Sequence, residues 1–138
     1  MDKKKIILDF IKKQNLAVLA TVGEIAPESS VLEFGENDNL EIILDMFTSS
    51  RKYKNMKLNP NVSLVIGWDE DITIQYEGIA EELNSEEKRM YQEIYWKKNP
   101  KAKRWADREG ITYFKVVPKW IRYSDLNIHP WKIFEVNF

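Results

Sequence analysis

The sequence predicts a mainly β protein, an antiparallel barrel with a few helices on its periphery. Three observations predict it. Six or seven short runs rich in Val, Ile and aromatic residues recur along 138 residues. Most are separated by Gly, Asn, Asp or Pro, so that consecutive strands pair as hairpins. Helical periodicity is confined to short stretches. The length fits one domain, residues 1–138, large enough to bury a core.

Ile6, Ile7, Phe10 and Ile11 recur at helical spacing between lysines, which predicts an amphipathic helix over residues 3–14. Leu16-Ala-Val-Leu-Ala-Thr-Val22 is small and nearly continuously apolar, as expected of a strand buried on both faces. A turn at residues 23–27 leads to a strand at 28–34. The polar run at 35–39 is a loop before a strand at 40–44. Residues 50–58 read as a short helix closed by Asn59-Pro60. A strand at 62–68 follows, then a hairpin loop at Asp69-Glu-Asp71, which lacks the glycine and spacing of a calcium loop. Residues 72–83 alternate as one long strand bent near Gly78. Asn84-Ser85 cap a helix through Tyr95, with Glu86 and Glu87 in its first turn where the helix dipole favours them. The basic run at 97–108 reads as a solvated segment, helical after Pro100. Strands at 111–117 and 120–123 are separated by Pro118, and a last strand covers 133–136.

Composition excludes several chemistries. Lys plus Arg number 21 against 22 Asp plus Glu, a net charge of -1, which argues against nucleic-acid binding through a strong positive field. The absence of cysteine removes disulfides, zinc–thiolate sites and thiol catalysis, and a single histidine removes a multi-histidine metal site within one chain. No run approaches the roughly twenty apolar residues of a membrane span. Residues 6–8 are too short for the apolar region of a signal peptide, and Asp9 interrupts them. A cytoplasmic protein without membrane partners is expected. Aromatic residues make up 12% of the chain, enough to fill a core and to cover a subunit interface.

Thr48-Ser-Ser-Arg-Lys52 is the segment richest in chemistry. It follows a strand and opens a helix, so amides without intrahelical partners, two hydroxyls and two cations converge, as a phosphate site requires. The same residues equally suit a plain N-cap at Ser49 or Ser50 with two solvated cations. His129, beside Pro130, reads as a surface loop residue.

These residues belong to a longer pattern. Leu16-Ala-Val-Leu-Ala-Thr-Val22, Pro27, Ser30-Val-Leu32, Ser50-Arg-Lys52, Asn59-Pro-Asn-Val-Ser-Leu64 and Gly78-Ile-Ala80 occur in an order and spacing that resembles the pyridoxamine 5′-phosphate oxidase-like family of FMN-binding split barrels. The resemblance implies a six-stranded antiparallel split β-barrel that forms a homodimer, with FMN in a cleft between subunits. It implies that Arg51 and Lys52, beside Ser50, grip the FMN phosphate, and that Asp45 and Met46 face the ribityl-phosphate chain through their backbone. The strand Ser29-Ser-Val-Leu32 would lie along the flavin ring, and Thr73 stands where a ring-contacting Gln is usual. The Arg–His substrate motif of the true oxidases is missing from Trp120-Ile-Arg-Tyr-Ser-Asp-Leu126, where Arg122 could meet an anionic substrate or equally pair with Asp125 or Glu135. The chain therefore looks like a short flavoprotein of the family, a small oxidoreductase passing electrons from a reduced donor to a small molecule, with no catalytic side chain assigned. A deazaflavin-dependent reductase of the same fold, and a non-enzymatic flavin or haem carrier or stress protein, are the alternatives.

Overall fold

Helix α1 (Lys3–Lys12) starts where Asp2 accepts a hydrogen bond from the Lys5 amide at 3.1 Å, and it buries Ile7 and Ile11. In the computed structural model, which describes residues 1–138, the helix is followed by strands β1 (Leu16–Val22), β2 (Pro27–Glu33), β3 (Gly35–Glu36) and β4 (Ile42–Phe47). Helix α2 (Arg51–Leu58), strands β5 (Asn61–Ile66) and β6 (Ile72–Glu82) and helix α3 (Lys88–Lys98) come next. A 3-10 helix (Pro100–Trp105), β7 (Ile111–Asp125) and β8 (Lys132–Asn137) complete the chain. No helix is long and apolar enough to cross a membrane.

All strands belong to one antiparallel sheet in the order β2-β1-β5-β6-β7-β4-β3, with β8 also on β7. The sheet divides along β7. Its first half pairs with β4 and its second half with β8, while β6 accompanies both halves. Curled in this way, the sheet is a split barrel; the C-terminal β8 matches the last strand expected at 133–136, and the two-residue β3 is an addition. One face and α1 enclose the main core, which includes Ile7, Leu19, Leu44, Leu64, Tyr76 and Phe114. A second apolar cluster lies under α3, where Ile43, Tyr95, Trp96 and Tyr113 pack together. Trp96 Nε1 donates to Tyr113 Oη there at 3.2 Å.

Several elements depart from the sequence expectation for local reasons. Pro118 does not break β7. It stands opposite Gly78, at the bulge between Glu77 and Gly78. A ladder amide is least needed at such a bulge. β1 is buried on one face only: Ala17, Leu19 and Thr21 point inward, while Val18 and Ala20 stay half-buried. The third long strand runs over 42–47 rather than 40–44, because Leu40 takes a left-handed φ of 62° in the preceding loop. Helix α3 begins at Lys88, since Asn84 Oδ1 accepts from the Glu86 and Glu87 amides at 3.1 and 3.0 Å and holds a separate turn. The acidic pair thus precedes the helix. In the basic segment Lys97, Lys101, Lys103 and Arg104 are exposed as expected, but Lys98 is not. Its Nζ donates to Glu36 Oε2 at 2.6 Å and to the Ile11 carbonyl at 3.2 Å, and stands 3.9 Å from the Phe34 ring centroid. Burial lowers the Lys98 pKa, opposed by the Glu36 carboxylate.

The Tyr76 hydroxyl lies at the centre of the core, 2.7 Å from the Leu40 carbonyl and 3.0 Å from that of Val116. It fixes the left-handed loop to β7. Burial, with Glu41 nearby, raises the phenol pKa far above its ordinary value, so the group remains a donor at any working pH. Tyr76→Phe leaves two buried carbonyls competing for fewer donors, and a loss of about 1–2 kcal/mol is expected in urea unfolding.

Candidate anion-binding site

Ser50 opens α2 as a true N-cap. Its Oγ accepts from the Tyr53 amide at 3.3 Å and donates to the Phe47 carbonyl at 2.8 Å. The N-cap reading of Ser50 therefore holds, and its hydroxyl is engaged. Arg51 and Lys52 occupy the first turn, where the helix dipole and free amides favour an anion.

Strand β2 is at the edge of the sheet, and its start passes beside this turn. Ser29 and Ser30 from β2, Arg51 and Lys52 from α2, and Thr21 and Glu28 line one cavity of about 270 Å³ with no apolar side chain in its wall. Four residues expected at the site thus converge from elements far apart in sequence. Three partners were missed. Glu28 forms an ion pair with Arg51 Nη2. Asn55 Nδ2 donates to Glu28 Oε1 at 2.8 Å and to Thr21 Oγ1 at 3.0 Å. Asn55 lies four residues after Arg51, on the same face of α2, a spacing readable from sequence. Glu28 and Thr21 become neighbours only through the β1–β2 register, which pairs them directly.

Other expected residues lie elsewhere. The alternation of β4 sends Met46 into the main core, at 5% exposure. Asp45 points the opposite way, toward α3, where its Oδ1 accepts from Tyr95 Oη at 2.7 Å. Burial raises the Asp45 pKa, and Glu33 adds to this against the opposing Tyr95 hydrogen bond and Lys52. Only the backbone of these two residues is available on the strand's open side, since β3 pairs no further than Ile43. Leu32 packs on the core and Val31 points outward. Thr73 is opposite Ser124 on the outer face of the sheet, away from the cavity. Arg122 is on the same face, with its Nη1 3.5 Å from Glu135 Oε1. His129 is exposed in the β7–β8 loop.

A curled antiparallel sheet, divided along one long strand and carrying this cavity at its edge, defines a split β-barrel protein. The family model described as pyridoxamine 5′-phosphate oxidase matches residues 4–125, and the chain belongs to that family. Among solved structures, General Stress Protein 26 from Bacillus anthracis is similar at 24% identity, with a TM-score of 0.77, over 99% of this chain and 100% of that one. A putative pyridoxamine 5′-phosphate oxidase from Listeria innocua is similar at 22% identity and a TM-score of 0.73, over 91% and 98%. A heme binding protein from Mycobacterium smegmatis shares 15% identity at a TM-score of 0.80, over 93% of this chain but 55% of that one. At these identities the likeness is one of fold. A search of the curated proteins found no match.

Helix α2 is held in place by Glu82. Thr112 Oγ1 donates to its Oε2 at 2.6 Å, and Lys57 Nζ and Tyr53 Oη reach its Oε1 at 2.9 and 3.3 Å. Burial pushes the carboxyl pKa up, but these donors outweigh it and hold the pKa below the ordinary value. The folded state therefore favours the ionised form. That contribution is complete above the unfolded pKa and is lost as pH falls through the depressed folded value. Glu82→Gln is expected to cost about 1–2 kcal/mol at pH 7. In unfolding curves collected across the acidic range, the gap to the parent protein should close as Glu82 becomes protonated.

Proposed function

We propose that this chain is an FMN-binding flavoprotein, a small oxidoreductase that works as a homodimer. The observation that carries the reading is the polar cavity lined by Ser29, Ser30, Arg51 and Lys52 at the start of α2. Its donors and cations match a phosphate monoester. Lys52 forms no ion pair within the chain, so its charge is free for a ligand, while Arg51 supplies a second cation at the rim. The open edge of β2, with Val31 and Leu32, offers a wall for a flat ring beyond the phosphate. When bound, the flavin supplies hydride or electron transfer, chemistry that a chain with no cysteine and one histidine lacks on its own.

The outer face of the sheet supports the homodimer. Register aligns Val31, Val18, Val65, Gln75, Arg122 and Glu135 in one row across six strands. Val31 is 60% exposed and its two valine neighbours are only half-buried. A second copy on this face would cover the apolar end of the row. It would also bring Thr73 and Arg122 toward an interface cleft, where Arg122 could meet an anionic substrate. A cytoplasmic setting suits this cysteine-free chain.

The Mycobacterium smegmatis neighbour supports haem carriage as a second reading. This chain's only histidine is exposed, and its cavity is built for a phosphate rather than for a porphyrin. Absorbance separates the two: titration with FMN should give a bound flavin spectrum, whereas haem uptake would appear as a Soret band. Lys52→Ala should weaken FMN by about 1.5–3 kcal/mol, the scale of a hydrogen bond to a charged group, and leave riboflavin affinity unchanged. Sedimentation equilibrium should return twice the chain mass, and Val31→Lys should shift the population toward monomer. Reduction by NADPH followed by a panel of acceptors tests for an enzyme, because a carrier shows no substrate-dependent reoxidation.

A further inference from the structure

Arg51 is 83% exposed along its side chain, whereas its partner Glu28 is 26% exposed and held from several sides. Asn55 Nδ2 donates to Glu28 Oε1 at 2.8 Å and also reaches the buried Thr21 hydroxyl at 3.0 Å. The β1–β2 turn leaves room for the carboxylate at Gly23, where an added Cβ would stand 2.9 Å from Glu28 Oε2. The result is an ordered chain, Thr21 to Asn55 to Glu28 to Arg51, that ends on an otherwise unrestrained guanidinium. Only Nη2 of Arg51 is used by Glu28, and its other N–H donors have no partner within the chain.

An acidic side chain in an anion cavity would ordinarily oppose the ligand. Here its charge is matched by Arg51 and its second oxygen is occupied by Asn55. We propose that Glu28 is a positioning residue for the anion site. Fixed by Asn55 and Thr21, it holds the Arg51 guanidinium at the cavity rim and so makes the site discriminate a phosphorylated flavin from an unphosphorylated one. The inference rests on the FMN reading and extends it to a residue outside the Ser-Arg-Lys segment. A long, exposed arginine loses much rotamer entropy when it takes up a ligand, and Glu28 imposes that order beforehand. The planar fork keeps donors to spare for the phosphate.

A double-mutant cycle tests this, with dissociation constants for FMN and for riboflavin on the parent protein, Glu28→Ala, Arg51→Ala and the pair. Glu28→Ala should weaken FMN by about 5- to 10-fold, the scale of losing one ordered charged contact, with riboflavin unchanged. In the Arg51→Ala background, where Glu28 is left as an unmatched anion, it should cause no further loss and should recover part of the affinity. Glu28→Gln, which keeps an acceptor for Arg51, should restore part of the affinity, and Asn55→Ala should reproduce part of the loss. If Glu28→Ala fails to fold, the Gln and Asn55 variants carry the same comparison. Tighter FMN binding by Glu28→Ala would identify Glu28 as a competing anion and overturn the proposal. Additive losses across the cycle, or equal losses for FMN and riboflavin, would overturn it too. Failure of the FMN reading has a different signature: FMN bound no better than riboflavin by the parent protein, and no effect of Arg51→Ala or Lys52→Ala.

Discussion

The pairing of β6 with β7 is the contact on which the rest of the architecture depends. It runs from Ile72 opposite Asp125 to Glu82 opposite Phe114, interrupted only at the Gly78–Pro118 bulge. One half of β7 carries β4, whose end leads into α2 and the polar cavity beside it. The other half carries β8 and the exposed row containing Arg122. Glu82, at the last position of β6, then ties α2 back to the sheet through Thr112, Lys57 and Tyr53. Sheet and site are therefore one system of hydrogen bonds, and the buried hydroxyl of Tyr76 closes it from within.

Much of the fold was legible in the sequence because it depends on period and punctuation. The run from Leu16 to Val22, the helix over 51–58 with its serine cap, and the bend at Gly78 are all local signals. The misreadings have a common cause. Pro118 ends a strand in isolation, yet it is tolerated opposite a glycine bulge supplied by a strand forty residues earlier. Lys98 belongs to a basic run that reads as solvated, yet Glu36 of β3, the Ile11 carbonyl of α1 and Phe34, between β2 and β3, form a pocket around it. Pairing partners at long range are not written in a local pattern.

The same distinction applies at the site. Arg51 and Lys52 were visible because their cations fall beside hydroxyls and unpaired amides where a strand gives way to a helix. Ser29 and Ser30 joined them through a family resemblance, and the cavity brings all four together. Glu28 escaped notice because its role exists only when β1 and β2 are in register and α2 lies alongside. Asp45 shows the limit of reading side chains from position: the strand's alternation turns its carboxyl toward Tyr95 and leaves only its backbone for the open side.

The bulge at Gly78 and Pro118 has a mechanical meaning. Pro118 contributes no amide and Gly78 no side chain, so the joint between the two halves of β7 is the least cross-linked point of the longest strand pair in the barrel. It lies between the half that leads to the polar cavity and the half that bears Arg122. The angle at that joint sets how far apart the two ends stand. A side chain at residue 78 would stand 2.5 Å from the Val117 carbonyl and 2.8 Å from Val116 Cγ1, so the close approach of the two strands at this joint requires glycine.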